Sequence, residues 1–194
     1  MVTIEQIKQL REETDVSLAE CKKALNESNG DFKKAKEILR IRGQKLAEKK
    51  SSREAGQGIV TSYIHPNNKI GVLLDLRCES DFVARSKEFK TLSHELCLQI
   101  AAMKPLFVGE KDIPEDFLDG EKKIYQEQFK GSGKPQKIVN QIIDGKLDKY
   151  KGGISLLSQS WIKDEAKTIK DLIDEYINKI GENIVIKGFT RYEI

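Results

Sequence analysis

The chain has 194 residues, room for one fair-sized domain or for a small domain joined to a larger one. Charged residues make up 34% but nearly cancel, to a net +3, and aromatic residues are only 7%, so neither strong steering toward a polyanion nor a stacking platform for single strands is built in. Direct nucleic-acid binding and membrane binding are not expected: no run approaches spanning length, and "MVTIEQIKQLREE" acquires charge by Glu5 without the apolar core of a signal peptide.

The first elements in chain order are three helices. Thr3 with Gln6, and Ser17 with Glu20, have capping-box spacing, in which a hydroxyl and a side chain three residues on satisfy orphan amides. Ile4, Ile7 and Leu10 form one apolar stripe, Leu18, Cys21, Ala24 and Leu25 a second, and Phe32, Ala35, Ile38 and Leu39 a third. Gly30 stands where the second helix stops, and Asp31 is placed to cap the third. Residues 1–43 therefore read as a minimal three-helix bundle. The next stretch, "GQKLAEKKSSREAGQG", lacks bulky apolar residues apart from Leu46 and reads as a charged helical extension passing into a flexible linker, 44–57, where the domain boundary belongs.

From Ile59 the period becomes strand-like: "IVTSYIH", the four turn residues "PNNK", then "IGVLLDLRC", an antiparallel hairpin. Ser86 can cap the next helix, whose Phe89, Leu92, Leu96 and Ile100 face a core. Two further helices follow in "DIPEDFLDGEKKIYQEQF" and "KPQKIVNQIIDGKL", with Pro135 suited to a first turn. "GSGKP", residues 131–135, has the composition of a phosphate loop but not its spacing or its leading strand, and reads as a plain loop; "KDEAK", residues 163–167, reads as a solvated turn. A helix in "TIKDLIDEYINKIG", capped by Thr168 and ended by Gly181, leads into a last strand, "ENIVIKGFTRYEI", with Gly188 a candidate bulge. The order predicts an α+β domain over 58–194, a small antiparallel sheet covered by helices.

Three cysteines, Cys21, Cys78 and Cys97, are widely spaced with no C-x-x-C, and read as small core residues in a reducing compartment. His65 and His94 would meet a thiol only through the fold; a thiol or metal enzyme built on them and Cys78 or Cys97 is one functional alternative, and a helical adaptor without further activity is another. "CESDFVARS", residues 78–86, is the distinctive stretch. It places Phe82 among charged and polar neighbours between the strand and the next helix, so that Asp81 caps and Phe82 packs at a helix entrance, or Phe82 is offered to a partner.

Two segments together resemble one family. "LREETDVSLAECKKALNESNGDFKKAKEILRIRG", residues 10–43, is similar to the N-terminal module of elongation factor Ts, and "IHPNNKIGVLLDLRCESDFVARSKEF" to its core; "QIAAMKPLFV", "GKPQKIVNQIIDGKLDKY" and "KIGENIVIKGFTRYEI" continue the match. The resemblance implies a ubiquitin-associated-like bundle, a linker and an α+β core, in a short, single-core form. It implies guanine-nucleotide exchange on elongation factor Tu in the cytoplasm, with no cofactor of its own beyond the GDP and magnesium held by the partner. The family's T-D-F-V-A motif falls on Ser80, Asp81, Phe82, Val83 and Ala84, with serine in place of threonine, and assigns Asp81 and Phe82 to the partner's nucleotide domain. In the helical module the contact positions fall on Arg11, Leu18, Ala19 and Lys22; Asp15 and Ser17 stand where the family often has flexible residues, and Ala19 offers less apolar surface than the family's methionine. Leu18 is equally suited to the bundle core. Ile180 and Gly181 match a further contact segment. Longer members carry two related core halves, so a single-core chain is expected to supply the second from another copy, as a homodimer.

Overall fold

In the computed structural model, which describes residues 2–14, 16–130, 133 and 135–194, the chain opens with α1 (Ile4–Thr14), α2 (Leu18–Glu27) and α3 (Phe32–Lys50). The first capping box is complete: the Gln6 amide donates to Thr3 Oγ1 at 3.2 Å and the Thr3 amide to Gln6 Oε1 at 2.9 Å. The second is half made. Ser17 Oγ accepts from the Glu20 amide, but the Glu20 carboxylate turns to Lys23 and Arg42, because two cations outcompete a backbone amide for it. Asn29 and Gly30, both at positive φ, reverse the chain after α2, and Asp31 caps α3 at the Lys34 amide. Leu10, Cys21, Ala24, Leu25, Ala35 and Leu39 close the bundle's core. Ile4, expected in that stripe, is exposed in the opening turn of α1 instead.

The stretch expected as extension and linker holds three structures: helix to Lys50, turns at 51–53, and strand from Gln57. The last turns of α3 lie along α8 (Ile169–Ile180). Gly43 faces Asn178, Gln44 Nε2 donates to Asp171 at 2.9 Å, Ala47 enters the main core, and the Lys50 ammonium donates to the Gly181 carbonyl.

The sheet has strands β1 (Gln57–Ile64), β2 (Ile70–Cys78) and β5 (Ile184–Glu193), in the order β1-β2-β5 and antiparallel throughout. The His65 amide donates to the Ile70 carbonyl, which leaves "PNNK" as the turn, with Asn68 at positive φ. Lys187 is the extra residue of the bulge expected at Gly188: Asp75 faces Gly188, whereas Leu76 faces Ile186. The inner face of β2, Val72, Leu74, Leu76 and Cys78, packs under α5 (Lys87–Met103), whose Phe89, Leu92, Leu96 and Ile100 are fully buried, and against Leu172, Ile173 and Ile177 of α8. Each such side chain contributes roughly 1.5–3 kcal/mol by leaving water. The outer face carries Val60, Ile64, Leu73, Val185 and Tyr192, all exposed.

Helices α6 (Glu115–Phe129) and α7 (Gln136–Ile154) form a hairpin with its own cluster, Val139, Ile143 and Leu147 beside Tyr125 and Phe129. Pro114 and Pro135 each stand just before their helix rather than in its first turn. Residues 131, 132 and 134 of "GSGKP" lie outside the described residues, as does Asp15. "KDEAK" is not a turn: Asp164–Thr168 is strand β4, paired with β3 (Ser160–Trp161). Its residues are all exposed or half-exposed, so no apolar alternation marks the pairing. Overall the fold is the α+β arrangement expected, helices first and then a small sheet with helices on one face.

Two glycines separate backbone need from habit. A Cβ on Gly58, at φ +155, would meet the Leu76 carbonyl oxygen at 2.2 Å, whereas one on Gly145, inside α7, would meet nothing within 4 Å. Gly58→Ala is expected to destabilise by at least about 1 kcal/mol, and Gly145→Ala to stabilise by about 0.5–1 kcal/mol. Urea unfolding of the two variants measures both.

Candidate functional site

At Cys78 the central strand ends, and after two residues the chain enters α4 (Asp81–Arg85), a helix of 5 residues. Ser80 is its cap: the hydroxyl accepts from the Val83 amide at 3.4 Å. Asp81 therefore occupies the first helical position and pairs with Arg85 at 3.0 Å, on a surface where such a pair contributes little. Ala84 is buried and Val83 packs half-buried on the main core. Phe82 points the other way and is 84% exposed. Of the two readings of this residue, packing at a helix entrance is not what its ring does.

The segment just before α4 is held from across the molecule. Glu182 lies two residues beyond the end of α8, after Gly181, whose φ of +86 closes that helix. Its Oε2 accepts from the amides of Glu79 at 3.1 Å and Ser80 at 2.9 Å, and its Oε1 accepts from the Ser80 hydroxyl at 2.6 Å. The grip is reciprocal: the Asn183 amide donates to Glu79 Oε1 at 2.6 Å. The Asn183 side chain in turn donates to the Arg53 carbonyl at 2.8 Å, just past α3. "KIGEN" is thus brought against "ESDFV", with Ile180 packed on the core and Gly181 exposed.

Arg11, Leu18, Ala19 and Lys22 form a second patch, on α1 and α2, and all four are exposed. Leu18 belongs to the surface rather than to the bundle core. With Ala19 and Lys22 it lines a shallow apolar groove completed by Ile4, Ile7 and Lys8, and Arg11 follows on the same side of α1.

Of the thiols, Cys78 lies at this corner, its Sγ donating to the Ser80 carbonyl at 3.2 Å. Cys21, Cys78 and Cys97 are buried and free, and burial pushes the pKa of each up, that of Cys97 to about 11, so thiolate is scarce near neutrality. The imidazoles gather around Tyr63: His65 Nδ1 is 3.0 Å from its hydroxyl, and His94 meets its ring edge-on. Among the described residues no group of three or more His, Cys, Asp or Glu side chains is arranged to hold a metal, and no helix is long and apolar enough to cross a membrane.

The model of the family described as Elongation factor TS matches residues 2–194. The chain belongs to that family. It is 50% identical over 193 residues to the elongation factor Ts of Thermotoga petrophila, covering 100% of this chain and 96% of the relative. To those of Thermosipho melanesiensis and Thermodesulfovibrio yellowstonii it is 47% and 48% identical, with 99% and 96% of the relatives covered. Membership makes the chain a translation elongation factor. Within that frame Glu79, Glu182, Asn183 and Lys8 are the parts sequence reading did not single out, and Ile4 and Ile7, read as a core stripe, line the groove. Glu182 follows a helix-ending glycine like any surface acid, and its partners lie 102 and 103 positions away.

Proposed function

We propose that this factor releases GDP from elongation factor Tu in the cytoplasm, without covalent chemistry, by inserting the Asp81–Phe82 tip beside the nucleotide and magnesium that the partner holds. The single observation that carries the reading is Phe82, a large apolar side chain left 84% exposed at the tip of a strand-to-helix corner whose other apolar members are turned inward. An apolar ring kept in water has no role in its own domain's core, and at the motif position of this family it has a receiver. The α1–α2 groove with Leu18, Ala19, Lys22 and the neighbouring Arg11 is a second contact, and Ile180 and Gly181, beside the tip, a third. Exchange needs only coupling: if the tip and GDP–magnesium disfavour each other, the factor weakens GDP by the ratio by which GDP weakens the factor. Abundant GTP then refills the site and expels the factor.

Phe82→Ala is expected to melt like the parent, since an exposed side chain contributes little to its own fold. It should slow stimulated release of a fluorescent GDP from elongation factor Tu by about ten- to a hundredfold, if the roughly 1.5–3 kcal/mol of a buried phenylalanine is expressed in the transition state. Asp81→Ala acts in the same direction. A Phe82→Ala protein that melts many degrees lower yet exchanges normally per folded molecule would place the residue in the core and end the reading.

The homodimer belongs to the same proposal. The outer face of the sheet, with Val60, Ile64, Leu73, Val185 and Tyr192 exposed, suits a second copy stacked face to face about a two-fold axis. Light scattering should give twice the monomer mass of 22.0 kDa, and Leu73→Arg, at the middle of the central strand, should return it to the monomer without unfolding it. A parent protein that scatters as a monomer at working concentration rules the dimer out.

A further inference from the structure

We infer that Glu182 is a positioning residue for the exchange tip, a role that rests on the proposed function above. α4 has only 5 residues and anchors on the core through Val83 and Ala84 alone, so the direction in which Phe82 points depends as well on the peptides that enter the helix. Those peptides are 79 and 80, and both donate their amides to one carboxylate oxygen of Glu182. The other oxygen accepts a hydrogen bond from the Ser80 hydroxyl at 2.6 Å, which leaves a lone pair of the same hydroxyl for the Val83 amide. One carboxylate thus fixes two backbone donors and orients the cap of the tip helix. Charge-assisted bonds of this kind are short and directional.

Glu182 is itself placed rigidly. On one side Gly181 closes α8 and its carbonyl accepts from the Lys50 ammonium; on the other Ile184 starts β5 opposite Cys78. The last pair of the β2–β5 ladder is Cys78 with Ile184, and just beyond it the two chains stay joined by side chains: Glu182 holds the 79 and 80 amides and Glu79 holds the 183 amide. The ladder's alignment is carried past its end into the corner that presents Phe82. Removing the carboxylate frees the corner to sample other directions. A misplacement of about 1 Å at a reacting group has costs of order a hundredfold, and a partly retained direction costs less.

The test is a double-mutant cycle on stimulated release of fluorescent GDP from elongation factor Tu, with rates expressed per folded molecule and a thermal melt of each variant. Glu182→Ala should slow release by about tenfold. Glu182→Gln, which keeps one acceptor oxygen, should recover part of that loss. On the Phe82→Ala background, Glu182→Ala should cost nothing further, because there is no ring left to aim. Normal exchange by both Glu182→Ala and Glu182→Gln, or losses that multiply fully in the double variant, would overturn the role; the second result would mean that Glu182 acts apart from the tip. If Phe82→Ala alone exchanges normally, the tip reading fails first, and the positioning role falls with it.

Discussion

Strand β2 is the constraint from which the other features follow. It is paired along both edges, to β1 from Gln57 to Ile64 and to β5 from Ile184 to Glu193, and its inner side chains are buried under α5 and α8. Its position is therefore over-determined, because a slip of one residue would turn Leu74 and Leu76 out to water and Leu73 and Asp75 into the core. The end of such a strand is a fixed point. The chain uses it to launch a corner whose inward residues, Val83 and Ala84, anchor on the core while Phe82 is left outside.

The same geometry explains why the corner needs support from a distance. Short helices gain little from their own hydrogen bonds, and Asp81 with Arg85 is an exposed pair of small worth. The direct fastening comes instead from 180–183, a loop held at one end by the cap of α8 and at the other by the first pair of β5. Through Lys50 and Asn183 this loop also meets the end of α3, so the long helix shared by the bundle and the core touches the network that carries the tip. The bundle's own surface contributes a separate apolar groove between α1 and α2. Of the three segments proposed as contacts, Ser80 to Val83 and Ile180–Gly181 stand on parts whose geometry is interlocked.

Much of this was legible in the sequence wherever the causes are local. Thr3 with Gln6, Asp31, Ser86 and Thr168 all cap the helices that their spacing indicated. Period-two alternation in "IGVLLDL" located the central strand, and the three- and four-residue repeat of Phe89, Leu92, Leu96 and Ile100 located the helix above it. What stayed hidden was set by partners far along the chain. Glu20 looked like half of a capping box until Arg42, 22 positions away, claimed its carboxylate. Strand β4 carries no apolar alternation, and Glu182 resembles any exposed acid until Ser80 is folded beside it. Leu18 fitted core and surface equally by pattern, and only the packing of Cys21, Ala24 and Leu25 left it outside.

If the ring at position 82 enters the partner's nucleotide domain, a photo-cross-linker in its place will capture that domain. With Phe82→p-benzoylphenylalanine, irradiation of the nucleotide-free complex with elongation factor Tu should join position 82 to the partner's nucleotide domain, next to its magnesium site, as mapped by mass spectrometry. Excess GDP with magnesium should suppress the product. A stable complex whose cross-link at this position falls outside the nucleotide domain, or is indifferent to GDP and magnesium, would mean that Phe82 does not enter the nucleotide site.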